Sequence, residues 1–92
     1  LKVCLEALGD PNQLVVSQAE WLLIGIGKID DRVVDALLNH LVGTSHRHIR
    51  ESVVAVLGRI GKATYGVITT LLKTLEDSEK NVRYAGIEAL GC

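Results

Sequence analysis

Val56-Leu57-Gly58-Arg59-Ile60-Gly61-Lys62 runs through Ala63-Thr64-Tyr65-Gly66 into Val67-Ile68-Thr69-Thr70-Leu71-Leu72-Lys73-Thr74-Leu75. Apolar residues recur at spacings of three and four on both sides of the Gly61–Gly66 interruption. That pattern predicts one amphipathic helix, a glycine stop, and a second helix. The second helix carries the stripe Ile68, Leu71, Leu72, Leu75, and the same stripe occurs earlier at Val34, Leu37, Leu38, Leu41 and at Leu1, Cys4, Leu5, Leu8. From Leu1 to Val34 is 33 residues and from Val34 to Ile68 is 34. A period of this length is the mark of a helical repeat. These three stripes define A helices.

A B helix follows each of them. Its stripe reads Val15, Ala19, Leu22, Leu23, Ile26 in the first copy and Ile49, Val53, Val56, Leu57, Ile60 in the second. In the third it reads Val82, Gly86, Ala89, Leu90 and is cut short. One extra residue sits in the turn Gly43-Thr44-Ser45-His46-Arg47-His48. Gly9-Asp10-Pro11-Asn12 is a turn signal, and Gly27 and Gly61 are placed for left-handed helix ends. Asp30 or Asp31, Thr64 and Ser78 are the expected helix caps, with Asp77 and Glu79 near the positive end of the last B helix. No run alternates with period two over a useful length.

The expected fold is therefore all-α, an α-solenoid of about three antiparallel helix pairs with the last pair truncated. The repeats span roughly residues 1–29, 30–63 and 64–92 of one domain. One helix pair cannot bury its apolar faces alone, so neighbours stack. The chain reads as a piece of a longer solenoid whose ends expose apolar surface, and association between copies through the terminal repeats is expected, above all near Val82 to Cys92.

Composition narrows the function classes. Apolar residues make up 48% of the 92 residues, too many for a disordered chain. Ten Lys and Arg stand against eleven Asp and Glu, so there is no bulk charge to attract nucleic acid or an anionic membrane. The apolar run Trp21 to Ile24 is far short of a membrane span. Two cysteines cannot form a disulfide framework, and nothing argues for an oxidising compartment, so a cytoplasmic setting is expected.

Val56-Leu57-Gly58-Arg59-Ile60-Gly61-Lys62, with Val67-Ile68, Leu71-Leu72 and Leu75-Glu76-Asp77, resembles the HEAT-repeat consensus, the closest variety being the short phycobilisome-lyase type. Ile49-Arg50 and Val82-Arg83 match its Val-Arg pair, and Ala89-Leu90-Gly91 its Ala-Leu-Gly. The sequence departs from the pattern at Val16, where Arg is usual, at Glu20, where a small apolar residue is usual, and at Ile24, where Gly is usual. The resemblance implies a HEAT-like superhelix in which Arg50 and Arg83 reach turn carbonyls or Asp77, forming a ladder between repeats. Asp10 has no such arginine in its own repeat.

Candidate chemistry is sparse. His46 and His48 are close enough to share an ion, but no Cys, Asp or Glu in the same turn completes a tetrahedral set. His40 is expected on the exposed flank of an A helix. The His-Glu dipeptides by which HEAT-like deoxyhypusine hydroxylases hold iron are missing. Cys4 belongs to a core stripe, and Cys92 lies about two repeats away, beyond disulfide reach. Ser17, Ser45, Ser52 and Ser78 lack any nucleophile-elbow context, and Gly25-Ile26-Gly27-Lys28 lacks the spacer of a phosphate loop. No catalytic, metal or cofactor site is expected.

What remains is a binding surface. On a helical wheel with Ala19 at zero, the first B stripe falls within about 60° and Trp21 at about 200°. A shift by one residue, aligning Gly25 with Gly58, would instead bury Trp21. In the first register Trp21, Ala55 and Glu88 form one ladder up the B helices, flanked by Ser17, Glu51 and Tyr84, with Gln18 and Arg59 close by. Exposed aromatic rings of this kind are favoured interface anchors. The expected function is a non-catalytic scaffold binding a protein partner through this concave B-helix face. A part in a bilin lyase or chaperone-like enzyme is the alternative the family resemblance offers. Nucleic-acid binding is not expected, because Glu51 and Glu88 interrupt any basic stripe.

Overall fold

The computed structural model describes residues 2–91. Six helices follow one another: α1 (Lys2–Ala7), α2 (Gln13–Gly27), α3 (Asp31–Gly43), α4 (Arg47–Ile60), α5 (Tyr65–Thr74) and α6 (Lys80–Gly91). There is no strand among the described residues. The helices pair as α1/α2, α3/α4 and α5/α6, and the pairs stack in two layers. The A layer holds α1, α3 and α5, and the B layer holds α2, α4 and α6 with α4 in the middle. This is an α-solenoid.

Local sequence explains where each helix begins and ends. Asn12 caps α2 by accepting the Leu14 amide at 2.9 Å, Asp30 caps α3 through the Arg32 amide at 2.9 Å, and Thr64 caps α5 through the Val67 amide at 3.3 Å. Gly61 ends α4 in the left-handed region at φ 75°, which costs glycine nothing. Two expected ends are corrected. Ser78 makes no capping bond to α6 among the described residues; Asp77 instead closes the turn ahead of the helix, its Oδ1 accepting the Glu79 amide at 2.9 Å. Gly27 is not a left-handed end, because α2 runs on and Lys28 donates back to the Ile24 carbonyl. Glycine is needed at 27 for another reason: the Ile60 side chain occupies the space a Cβ there would take.

The core runs through the stack as one cluster that includes Leu8, Leu23, Leu37, Val53, Val54, Leu57, Leu71 and Val82. Most expected stripe positions are in it, but α2 is corrected. Val15 is 39% and Leu22 50% exposed, while Val16 and Ile24 are buried in their place. The reason is positional. The α4 equivalents of Val15 and Leu22 are Ile49 and Val56, which rest on the preceding repeat at Gly9 and beside Ile24. Among the described residues no preceding helix pair packs on that face of α2, so Val15 and Leu22 stay exposed. At the other end Ile68, Leu72, Leu75 and Ile87 are 37%, 53%, 37% and 58% exposed. The internal counterparts of Ile68, Leu75 and Ile87, namely Val34, Leu41 and Val54, are covered by the next repeat and are 4%, 8% and 0% exposed, and Leu38, the counterpart of Leu72, is half-buried. Leu1 and Cys92, both expected to carry structural weight, lie outside the described residues.

His40 is also corrected. It is half-buried, and its Nε2 is sealed from solvent with no hydrogen-bond partner. Its counterpart one repeat on, Thr74, is buried against Gly86 and returns its hydroxyl to the Leu71 carbonyl. This A-helix position therefore faces the B helix of its own pair, and is not a free flank.

Candidate functional site

The expected surface residues are all on the B layer. Trp21 is 66% and Tyr84 57% exposed; Gln18, Arg59 and Glu88 are exposed; Ser17, Glu51 and Ala55 are half-buried. The wheel register that turns Trp21 outward is the one the helix caps support. Asn12 and His46 cap α2 and α4, so Trp21 and Ala55 stand at the same distance from their helix starts.

The B helices are not evenly spaced. A Cβ on Gly58 would lie 2.7 Å from the Cβ and 2.8 Å from the Cα of Ala89, so α4 and α6 touch backbone to side chain. The position of Gly58 is taken in α2 by Ile24, which is buried next to Val56. A branched side chain cannot allow the approach that glycine allows. Hence α2 stands off from α4, and a depression of about 480 Å3 opens between them, floored by Leu8, Val16 and Ala55 and edged by Glu20, Glu51 and Ser52. A second of about 190 Å3 adjoins it below Trp21, beside Ser17, Glu20 and Arg59. A third of about 550 Å3 extends past Arg59 to Tyr84 and Glu88. Ala55 lines all three, so they form one groove across the layer.

Its electrostatics lean negative. Asp10, Glu20, Glu51 and Glu88 line it against the single guanidinium of Arg59. Burial raises the Glu20 carboxyl above its ordinary value, while the Ser52 hydroxyl and Arg59 work against that rise and the charge of Glu51 adds to it. His46 and His48 lie at one edge with ring centroids 5.7 Å apart. Among the described residues no three His, Cys, Asp or Glu side chains group as metal ligands would.

The groove is held in shape by a node at Asp77. Arg50 grips its carboxylate with two bonds, Nε to Oδ2 at 2.9 Å and Nη2 to Oδ1 at 3.0 Å, and also donates to the Ser45 carbonyl. Arg83 donates to the Asp77 carbonyl at 2.7 Å. Both arginines thus take the roles expected of them, and the bidentate geometry ties the second repeat to the third. Partial burial works to raise the Asp77 carboxyl, but the bond from Arg50, the Glu79 amide and the two guanidinium charges outweigh it and hold it below its ordinary value. Asp10 turns on itself, accepting the Asn12 amide at 2.8 Å.

Stacked helix pairs, a glycine-mediated close approach and an arginine–aspartate ladder agree with the comparison of families: a family model for HEAT repeats matches residues 1–91. The chain belongs to the HEAT-repeat family. HEAT repeats are commonly protein-interaction scaffolds and are generally non-catalytic. No curated protein matches the chain significantly. No helix among the described residues is long and apolar enough to cross a membrane.

Sequence reasoning about these HEAT repeats missed Glu20, Ser52, Asp10 and the histidine pair as groove residues. A signal was present. Glu20 and Ile24 break the HEAT pattern, and a broken pattern in a stacking position means that the neighbouring helix must move.

Proposed function

We propose that this HEAT-repeat chain is a non-catalytic scaffold that binds a protein partner through its B-helix face, with Trp21, Ser17, Gln18, Glu51, Ala55, Arg59, Tyr84 and Glu88 at or beside the contact. The observation that carries this reading is Trp21. An indole 66% exposed at the edge of a groove gives up a large hydrophobic contribution in the free protein. A partner that covers it recovers that contribution, which is why tryptophan is enriched among binding hot spots. Val42 and Tyr65, exposed apolar residues of the A layer, line none of these three depressions.

The test is a random nonapeptide display library panned against the purified protein, followed by affinity measurements on the enriched peptides. Trp21→Ala and Ala55→Gln are expected to weaken binding at least tenfold, and Val42→Ser and Tyr65→Ser to leave it unchanged. The reverse pattern rejects this face.

A second reading rests on a separate observation. Ile68, Leu72, Leu75 and Ile87 form an apolar end whose internal counterparts pack against the next helix pair. Copies of the chain are therefore expected to associate through this end. Sedimentation should show concentration-dependent association that Ile87→Glu abolishes; a strict monomer at high concentration contradicts it.

A further inference from the structure

The departures of the first repeat from its neighbours converge on one place. Val16 stands where Arg50 and Arg83 stand, Glu20 where Val54 stands, and Ile24 where Gly58 stands, while the α3–α4 turn carries its extra residue next to His46 and His48. Val16, Glu20 and both histidines line the large depression between α2 and α4, and Glu20 and Ile24 line the smaller one under Trp21. Each departure costs something in stacking. Val16 gives up the arginine of the ladder, Glu20 half-buries a carboxyl, and Ile24 holds the helices apart. Local rules broken together at one spot mark a place shaped for a purpose other than stacking.

The lining says what would fit there. Val16 and Ala55 give the depression an apolar floor, Asp10, Glu20 and Glu51 place carboxylates around it, and none of its lining residues is a lysine or arginine. A mostly polar depression walled by carboxylates, with a small apolar floor at Ala55 beside the buried Val16, matches a side chain whose short apolar contact ends in a cationic tip. Trp21 at the adjoining mouth offers an exposed π face to the same kind of group. Neighbouring helices pack about 8–10 Å apart, so crossing the B layer from Trp21 to Tyr84 takes roughly six extended residues. A peptide has that length.

We propose that the α2–α4 groove, on the binding face inferred above, takes a lysine or arginine side chain of an extended peptide. Its stem rests on Ala55 beside Val16, its charge sits between Glu20 and Glu51, and the peptide backbone passes beside Trp21. The inference rests on the B-face reading and adds the chemistry of the partner. It also carries a pH dependence. The groups facing the site are Asp10, Glu20, Glu51, Arg59, His46 and His48. Burial raises the Glu20 carboxyl, so lowering the pH removes its charge ahead of an ordinary glutamate and affinity for a cation falls on the acid side.

The panned nonapeptides provide the experiment. The enriched sequences are expected to share a lysine or arginine. Replacing it with norleucine should weaken binding about tenfold, and added salt should weaken the parent peptide more than the norleucine version. Glu20→Gln with Glu51→Gln should erase most of the tenfold preference between the two peptides. The conservative glutamines keep the groove filled, and circular dichroism confirms that the variants fold. Enriched peptides that lack a basic residue, or a norleucine version that binds as well, overturn the cation site while a persisting Trp21→Ala effect leaves the B face standing. Binding indifferent to Trp21→Ala and Ala55→Gln overturns the face and the site together, as does a library that yields no binder. Displacement of the peptide by spermidine at comparable affinity replaces the peptide with a free polyamine.

Discussion

Gly25 and Gly58 are both inside B helices, and changing each to alanine should move stability in opposite directions. Nothing lies within 4 Å of where a Cβ on Gly25 would be, so Gly25→Ala adds only the helical preference of alanine, about 0.5–1 kcal/mol of stabilisation. Gly58→Ala gains the same preference but places the new carbon 2.7 Å from the Ala89 Cβ and 2.8 Å from its Cα, where ordinary contact is 3.4–4 Å. The Ala89 backbone cannot rotate away, so α6 must shift by roughly an ångström, and overpacking of this kind costs about 1–3 kcal/mol. Because the helical preference is common to both variants, their difference isolates the α4–α6 contact at about 1–3 kcal/mol. In a domain of this size that separates melting temperatures by roughly 10 °C. Urea unfolding followed by circular dichroism, read as a change in midpoint at constant slope, measures it. If Gly58→Ala unfolds at or above the midpoint of Gly25→Ala, then α4 and α6 are not in close contact at Gly58 and Ala89.

Arg50→Ala removes a bidentate pair whose side chains are both 16% exposed and leaves the Asp77 carboxylate partly buried; about 2–3 kcal/mol of stability should be lost, against about 1 kcal/mol for Arg83→Ala, in the same urea experiment. The lowered Asp77 carboxyl contributes stability that is full above the ordinary carboxylate range and disappears as pH falls through its own lower value, so Asp77→Asn should flatten the acid limb of a stability–pH curve. Glu20 has the opposite sign. Its raised carboxyl costs stability as pH rises through its folded value, so Glu20→Gln should stabilise the chain at neutral pH and not in acid. Trp21, the single tryptophan, should show the red-shifted emission of a wet indole and be quenched readily by acrylamide; a blue-shifted, protected emission contradicts its exposure.

The architecture was legible because it is written three times. The A stripe Val34, Leu37, Leu38, Leu41 and the B stripe Val53, Val56, Leu57, Ile60 are core because each helix has a repeat on both sides. Sequence periodicity gives the angle of a face but not its company, and so it misplaced Val15 and Leu22, which have the right spacing and no neighbour to rest on. The outward direction of Trp21 could be read from the wheel. The groove beside it could not, because its lining comes from three different helices and the turns between them, which no single-helix pattern contains. His40 escaped in the same way: its A-helix position meets the B helix of its own repeat, a contact visible only once the pair is formed.

The most direct measurement is chemical-shift mapping of the 15N-labelled chain titrated with a lysine-centred nonapeptide from the panned library. Saturable shifts should concentrate on the amides of Glu20, Glu51, Ser52 and Ala55 and on the Trp21 indole, and the norleucine version should need about tenfold more peptide to reach half-saturation. Shifts that gather instead on α3 and α5, or on the apolar end at Ile68, Leu72 and Ile87, would place binding elsewhere and contradict the assignment of the B-helix groove.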